Sequence, residues 1–271
     1  MMPLLKGKVA LVTGSTRGLG EAIVRRFVDE GAGGIVVTGR NEDRGVAVTG
    51  DLVSAGCDAI FVPADLADHD DVMSLADRTD EHFGKLDVLV NAAALTWRGS
   101  IVDTDLGLWN AIMDVNLRAP FFLTQRAIDI MRREHIQGSI VNIGSVASHG
   151  STPRLAPYAI SKGALIPFTR NVAHAMTRDR IRVNTLNIGW MNTPGEDEVQ
   201  RRFENADDGW LEEAETAMPF GRLLRPEEVA SAVLFLASED SGMMTGSIIE
   251  FDQRVVGAGD PPVVAEEEVP R

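Results

Sequence analysis

Val9-Ala10-Leu11-Val12-Thr13-Gly14-Ser15-Thr16-Arg17-Gly18-Leu19-Gly20 decides the fold. A short apolar run followed at once by turn residues reads as a buried strand. The glycines after it let the backbone turn tightly and bring its N–H groups, with the positive end of a helix, against an anion. The spacing is Gly-x-x-x-Gly-x-Gly, not the Gly-x-Gly-x-x-Gly of the usual dinucleotide fingerprint. Such a turn is weak evidence alone. Its position gives it weight, because the first βα junction of an open parallel sheet is where nucleotides bind.

The same alternation recurs along the chain. Strands are expected near Val9 to Val12, Ile35 to Thr38, Ala59 to Val62, Val88 to Asn91, Ile140 to Ile143, Val183 to Asn187 and Ser247 to Phe251. Glu21 to Asp29, Asp70 to His82, Leu108 to Arg133, Pro157 to Met176 and Pro226 to Ala237 carry apolar residues three and four apart, the pattern of helices laid on a sheet. The expected fold is α/β, a Rossmann-like doubly wound parallel sheet of about seven strands with helices on both faces. With no repeat and no linker, residues 1–256 read as one domain. Trp190 to Met218 is acidic and poor in strand signals, and reads as a long loop serving as a substrate lid. The tail 257–271, acidic and proline-containing, reads as an arm or a disordered segment.

Composition narrows the function. The 271 residues carry 26 basic and 40 acidic side chains, a net charge of −14 that repels nucleic acid and anionic membranes. No stretch approaches the roughly 18 uninterrupted apolar residues of a membrane span, and the start lacks a secretory layout, so a cytoplasmic protein is expected. The single cysteine, Cys57, forms no internal disulfide, and His69, His82, His135 and His174 show no ligand spacing, so no metal is proposed.

At the end of the second strand the chain reads Val37-Thr38-Gly39-Arg40-Asn41, with no ribose-binding carboxylate at the tip and a cation just beyond it. This favours a 2′-phosphate, hence NADP over NAD, with Arg17 as a second cation. Pro157-Tyr158-Ala159-Ile160-Ser161-Lys162 begins a helix, because proline suits its first position, and puts Tyr158 and Lys162 on one face. A lysine so placed is expected to lower the phenol from its ordinary value near 10; reaching neutrality takes about 4 kcal/mol. Ser145 follows the fifth strand, where its hydroxyl can donate to a substrate carbonyl. Tyr158 is the only tyrosine in the chain.

Taken in order, Thr13-Gly14-x-x-x-Gly18-x-Gly20, Asn91-Ala92-Ala93-Ala94, Asn116, Ser145 and Tyr158-x-x-x-Lys162 resemble the compact single-domain branch of the short-chain dehydrogenase/reductase family, over about Gly7 to Asp252. The resemblance implies hydride transfer between a nicotinamide cofactor and a secondary alcohol or ketone. Tyr158 would be the general acid or base, Lys162 would hold the nicotinamide ribose and Ser145 would polarise the substrate oxygen. Asn116 would hold a proton-relay water. Gly14, Ser15, Thr16, Arg17, Gly18, Leu19, Gly20 and Arg40 would bind the cofactor, as would Asp65, Leu66, Asn91, Gly189 and Thr193.

The chain departs from the family at Asn91-Ala92-Ala93-Ala94, where Asn-Asn-Ala-Gly is usual, and at Ile188-Gly189, where Pro-Gly is usual. His149 and Trp190 are expected beside Ser145 and Tyr158 in the substrate pocket. Pro167 should kink its helix. A homotetramer or homodimer is expected by the same resemblance. Two other readings stand: a catalytically silent NAD(P)-binding sensor or scaffold, and a nucleotide-sugar epimerase or dehydratase. The intact Asn116, Ser145, Tyr158, Lys162 set argues against the first, and the short chain left after Gly195 against the second.

Overall fold

The computed structural model describes residues 3–258. All but Gly257 and Ala258 of the acidic tail lies outside them. The chain runs β1 (Val9–Val12), α1 (Gly18–Asp29), β2 (Gly34–Gly39), α2 (Glu42–Ser54), β3 (Asp58–Pro63), α3 (His69–Phe83) and β4 (Val88–Asn91). It continues through α4 (Leu106–Met113), α5 (Ala119–Arg133), β5 (Ser139–Ser145), α6 (Ala156–Ala175) and β6 (Arg182–Ile188). α7 (Pro194–Glu204), α8 (Trp210–Thr216), α9 (Pro226–Ala237) and β7 (Ile248–Phe251) complete it.

The strands form one parallel sheet in the order β3-β2-β1-β4-β5-β6-β7. Every residue of β1, β4 and β5 is buried, as expected for apolar strands covered on both faces. On one face, Ile23 and Phe27 of α1 pack with Val229 and Val233 of α9. On the other, Leu75 of α3, Leu123 and Met131 of α5 and Ala173 of α6 make the second core. Chain order reverses between β1 and β4, which opens a crevice at their carboxyl ends. Gly14 and Asn91 stand there.

Three segments differ from the sequence expectation. First, α2 was not anticipated. Asn41 caps it by accepting from Arg44 N, while Gly45 and Gly50 dilute the helical signal. Gly45 is needed for space, because a Cβ there would lie 2.1 Å from the Phe61 ring. Second, the expected loop Trp190 to Met218 contains α7 and α8. Pro194 opens α7, Thr193 caps it by accepting from Glu196 N at 3.1 Å, and Asn205 ends it in the left-handed region.

Third, the helix expected from Leu108 is interrupted. Asp114–Arg118 widens into a π-helical turn between α4 and α5, a device often found at functional sites. In contrast, α6 continues as one helix across Pro167.

Candidate active site

The glycine turn is shaped by contacts only glycine permits. Gly14 has φ +68°, and a Cβ there would lie 3.0 Å from Ala93 Cα. A Cβ on Gly20 would lie 2.4 Å from the Gly14 carbonyl oxygen, so the start of α1 lies directly on the turn. Thr13, a motif position with no role in the sequence reading, accepts from Ala92 N at 2.9 Å and Ala93 N at 3.0 Å. It fastens the Asn91-Ala92-Ala93-Ala94 departure to the turn.

Ser15 and Leu19 serve the scaffold. Ser15 is fully buried, donating to Val12 O and accepting from Thr38 N. Leu19 belongs to the α1 core. Thr16 packs beside Gly39, and Thr193 lies against Gly18. Leu66 is buried with the α3 core, and the Asp65 carboxylate accepts from Ala67 N at 3.0 Å. Gly189 leaves room for Asp252, whose carboxylate would lie 2.0 Å from a Cβ.

Three observations fit this crevice to a dinucleotide. α1 has no side-chain cap, so the first N–H groups of the helix are left for an anion. Asn91 Oδ1 is buried without a partner among the described residues, while its amide is spent on Asn142 Oδ1 at 2.8 Å. Arg40, just beyond β2, is exposed and makes no ion pair among the described residues. Arg17 differs: it is paired with Glu198 of α7. The second cation expected for a 2′-phosphate is therefore already engaged by α7.

The residues expected to carry chemistry meet at the carboxyl end of β5. Ser145 ends that strand, and its hydroxyl acts on the phenol of Tyr158, which comes from the first turn of α6. Four residues on, Lys162 is buried, and its Nζ donates to Ile143 O at 2.7 Å. Asn116 stands on the π-helical turn. It accepts from Leu95 N at 2.8 Å and donates to Leu95 O and Ser161 Oγ, each at 3.0 Å.

One electrostatic expectation is reversed. Burial pushes the Tyr158 phenol up, against the downward pull of the nearby Ser145 hydroxyl. The side-chain charges acting on it are Glu196, which raises it, and Arg98, which lowers it. Lys162 is not among them, because its ammonium turns to the Ile143 carbonyl, and its own burial lowers it to about 8.

The substrate-side residues divide. Trp190 follows Ile188, the register partner of Ser145. Its Nε1 donates to Glu196 Oε1 at 2.9 Å, and its ring stacks on Trp210 at 6.2 Å. His149 was expected in the substrate pocket, but its Nε2 is bonded to Glu250 of β7 at 2.8 Å. Its ring is thus engaged by the sheet edge. Arg98 and Glu196 were missed. A charge in a loop carries no signal of where the loop will lie.

Residues 14–253 match a family model described as enoyl-(acyl carrier protein) reductase. The chain is 35% identical over 250 residues to an NADP-dependent (R)-specific alcohol dehydrogenase of Lentilactobacillus kefiri, covering 91% of this chain and 96% of that one. It is 31% identical to the 3-oxoacyl-(acyl-carrier-protein) reductase FabG of Thermotoga maritima, over 93% and 99% of the two chains. Among solved structures, a short-chain dehydrogenase from Burkholderia cenocepacia J2315 in complex with NADP superposes with a TM-score of 0.81, at 32% identity over 92% of this chain and 98% of that one. A short-chain dehydrogenase/reductase family protein gives 0.80 at 35% identity, over 92% and 97%. No helix among the described residues is long and apolar enough to cross a membrane.

Proposed function

Because the chain belongs to the short-chain dehydrogenase/reductase family and is an oxidoreductase, we propose that Tyr158 is its general acid and base in interconverting a secondary alcohol and a ketone. The observation that carries this reading is the convergence of Ser145, Tyr158 and Lys162 at the carboxyl end of β5, where Lys162 Nζ is bonded to Ile143 O, beside the open crevice. In reduction, the phenol gives its proton to the carbonyl oxygen while Ser145 Oγ donates a hydrogen bond to the same atom. In oxidation the hydroxyl proton returns to the phenolate oxygen. Burial keeps the phenol protonated, so it is ready as a donor.

Lys162, one helical turn below, supplies positive charge at the floor of the site, and Asn116 fixes Leu95 and Ser161 around it. The cofactor is NADP, which when bound supplies or accepts the hydride. Arg40 takes its 2′-phosphate, the uncapped start of α1 takes the pyrophosphate, and Asn91 lies along the ribose. The NADP dependence of the Lentilactobacillus relative supports this choice. Residues 190–218 form the substrate lid, with Trp190 on the pocket side.

The chain assembles as a homotetramer or homodimer in the cytoplasm. Trp109, Phe121 and Ile160 leave apolar surface exposed on α4, α5 and α6, and Phe121 meets the Phe168 ring at 5.6 Å. Purified protein, given a panel of alcohols and ketones with each nicotinamide cofactor, should change the nicotinamide absorbance and do so faster with NADP(H). No change with any substrate and either cofactor would overturn the reading.

A further inference from the structure

One wall of the site beside Tyr158 is charged, and neither the proton transfer nor the cofactor crevice uses it. Gly99 bridges Leu155 in parallel, and Ala156 N donates to Gly99 O at 3.0 Å. Arg98 is thereby stitched to the start of α6, just before Tyr158. Across the pocket, Trp190 is held at the end of β6 next to Ser145 by the Ile188 register.

Glu196, in the first turn of α7, joins the two sides. Its Oε1 accepts from Trp190 Nε1 at 2.9 Å and Gln200 Nε2 at 2.7 Å, with Arg98 NH2 at 3.9 Å. Its Oε2 takes no hydrogen bond from any described residue. Arg98 has its Nε on Glu204 Oε1 and its NH1 on Thr96 O, each at 2.7 Å, while its NH2 faces Glu196. Side-chain exposure is 12% for Arg98 and 15% for Glu196, so this pair is largely withdrawn from water. Arg98 is tied through Gly99 to the residues just before Tyr158, and Glu196 through Trp190 to the segment after Ile188, the partner of Ser145, which places the pair beside the reacting centre.

We propose that Glu196 determines specificity, its Oε2 accepting a hydrogen bond from a hydroxyl that the substrate carries next to the reacting carbon. The substrates are then α-hydroxy ketones and vicinal diols. This deepens the oxidoreductase reading of Tyr158 and rests on it. A carboxylate oxygen only accepts, so the complementary group must be a donor. An anionic substrate would meet two carboxylates, Glu196 and Glu204, against the single guanidinium of Arg98 shared between them. An ammonium would meet a carboxylate whose charge Arg98 offsets at 3.9 Å. A hydroxyl needs only the lone pair that is left. A site built to bond such a group rejects the analogue lacking it, because the withdrawn polar atom is then left unpaired.

Three small ketones test this in NADPH-dependent reduction: hydroxyacetone, acetone and pyruvate, with wild type, Glu196→Gln and Glu196→Leu. The readout is the hydroxyacetone-to-acetone ratio of kcat/KM within each protein. That ratio cancels general damage to the lid, and its change between proteins cancels the ketones' intrinsic reactivity. Glu196→Leu should lower it about 10- to 100-fold, the worth of a hydrogen bond to a charged group. Glu196→Gln, which keeps a polar atom in place, should lower it less, and pyruvate should be the poorest substrate of wild type. An unchanged ratio in Glu196→Leu, or pyruvate as the best substrate, would overturn the proposal. If wild type reduces none of the three, the oxidoreductase reading fails for them. Saturation-transfer NMR on the NADP-loaded protein then decides this one: hydroxyacetone binding lost in Glu196→Leu upholds Glu196, and its absence in wild type or persistence in the variant overturns it.

Discussion

Lys162 Nζ donates to the carbonyl oxygen of Ile143 at 2.7 Å, which ties the second turn of α6 to the carboxyl end of β5 from inside the protein. The ammonium is almost wholly buried, with no carboxylate beside it, and burial lowers it from the usual 10.5 to about 8. A depression of this size costs the fold about 3 kcal/mol wherever the folded lysine is protonated.

The sign of that cost sets a stability prediction. Below about pH 8 both folded and unfolded chains hold the proton, and the fold bears the full cost. Between about 8 and 10 the unfolded lysine keeps a proton the folded one has lost, so this contribution makes stability rise with pH. Lys162→Met removes the buried charge and forfeits one hydrogen bond worth about 1 kcal/mol. The variant should melt higher than wild type at neutral pH, the gap should close toward pH 10, and its turnover should collapse. A variant that melts lower at every pH would show that the buried ammonium stabilises the fold.

Tyr158→Phe removes the only phenol while keeping the ring. Turnover should fall by about 10²- to 10⁴-fold, the usual worth of a positioned acid or base, while NADP still binds by fluorescence titration. Near-wild-type turnover would remove Tyr158 from the chemistry.

Two glycines should respond in opposite directions to the same substitution. At Gly20 a Cβ would lie 2.4 Å from Gly14 O and 2.8 Å from Ser15 Cα, so Gly20→Ala must push the turn apart. Overpacking of this kind costs about 1–3 kcal/mol, and cofactor affinity should fall with it. Gly50, inside α2, has nothing within 4 Å of its Cβ position. Gly50→Ala should gain about 1 kcal/mol from helix propensity alone. Parallel melting curves and NADP titrations check both.

What the sequence made legible follows from how local each signal is. β1 and β4 match the expected limits to the residue because their apolar runs end at Thr13 and Asn91. α2 is masked by Gly45 and Gly50, and the need for Gly45 arises only when β3 brings Phe61 alongside. α7 was legible in Thr193-Pro194-Gly195-Glu196, where a hydroxyl precedes proline and a carboxylate stands at the third helical position. The sign of the Tyr158 shift was not, since desolvation depends on how densely distant segments close around a group. Arg17 and His149 are engaged by Glu198 and Glu250, 181 and 101 residues away, and no local pattern announces such partners.

The Arg17 and Glu198 pair yields the last prediction. Arg17 comes from the glycine turn and Glu198 from α7, and the contact holds the Glu198 carboxyl below the ordinary range. Both side chains are solvent-accessible, so the pair adds little to stability and is screened by salt. On the proposed reading its effect falls on binding, because a 2′-phosphate would compete with Glu198 for one guanidinium, whereas Arg40 makes no ion pair among the described residues. Glu198→Gln should therefore tighten NADP without changing NAD. Arg40→Ala should weaken NADP by about 10- to 100-fold, the loss of one charged hydrogen bond, and leave NAD nearly unchanged. The gain from Glu198→Gln should shrink as salt rises, since screening already loosens the pair in wild type. Equal effects on both cofactors would move the 2′-phosphate away from these arginines, and a loss of NADP affinity in Glu198→Gln would mean that the carboxylate holds Arg17 in its binding position.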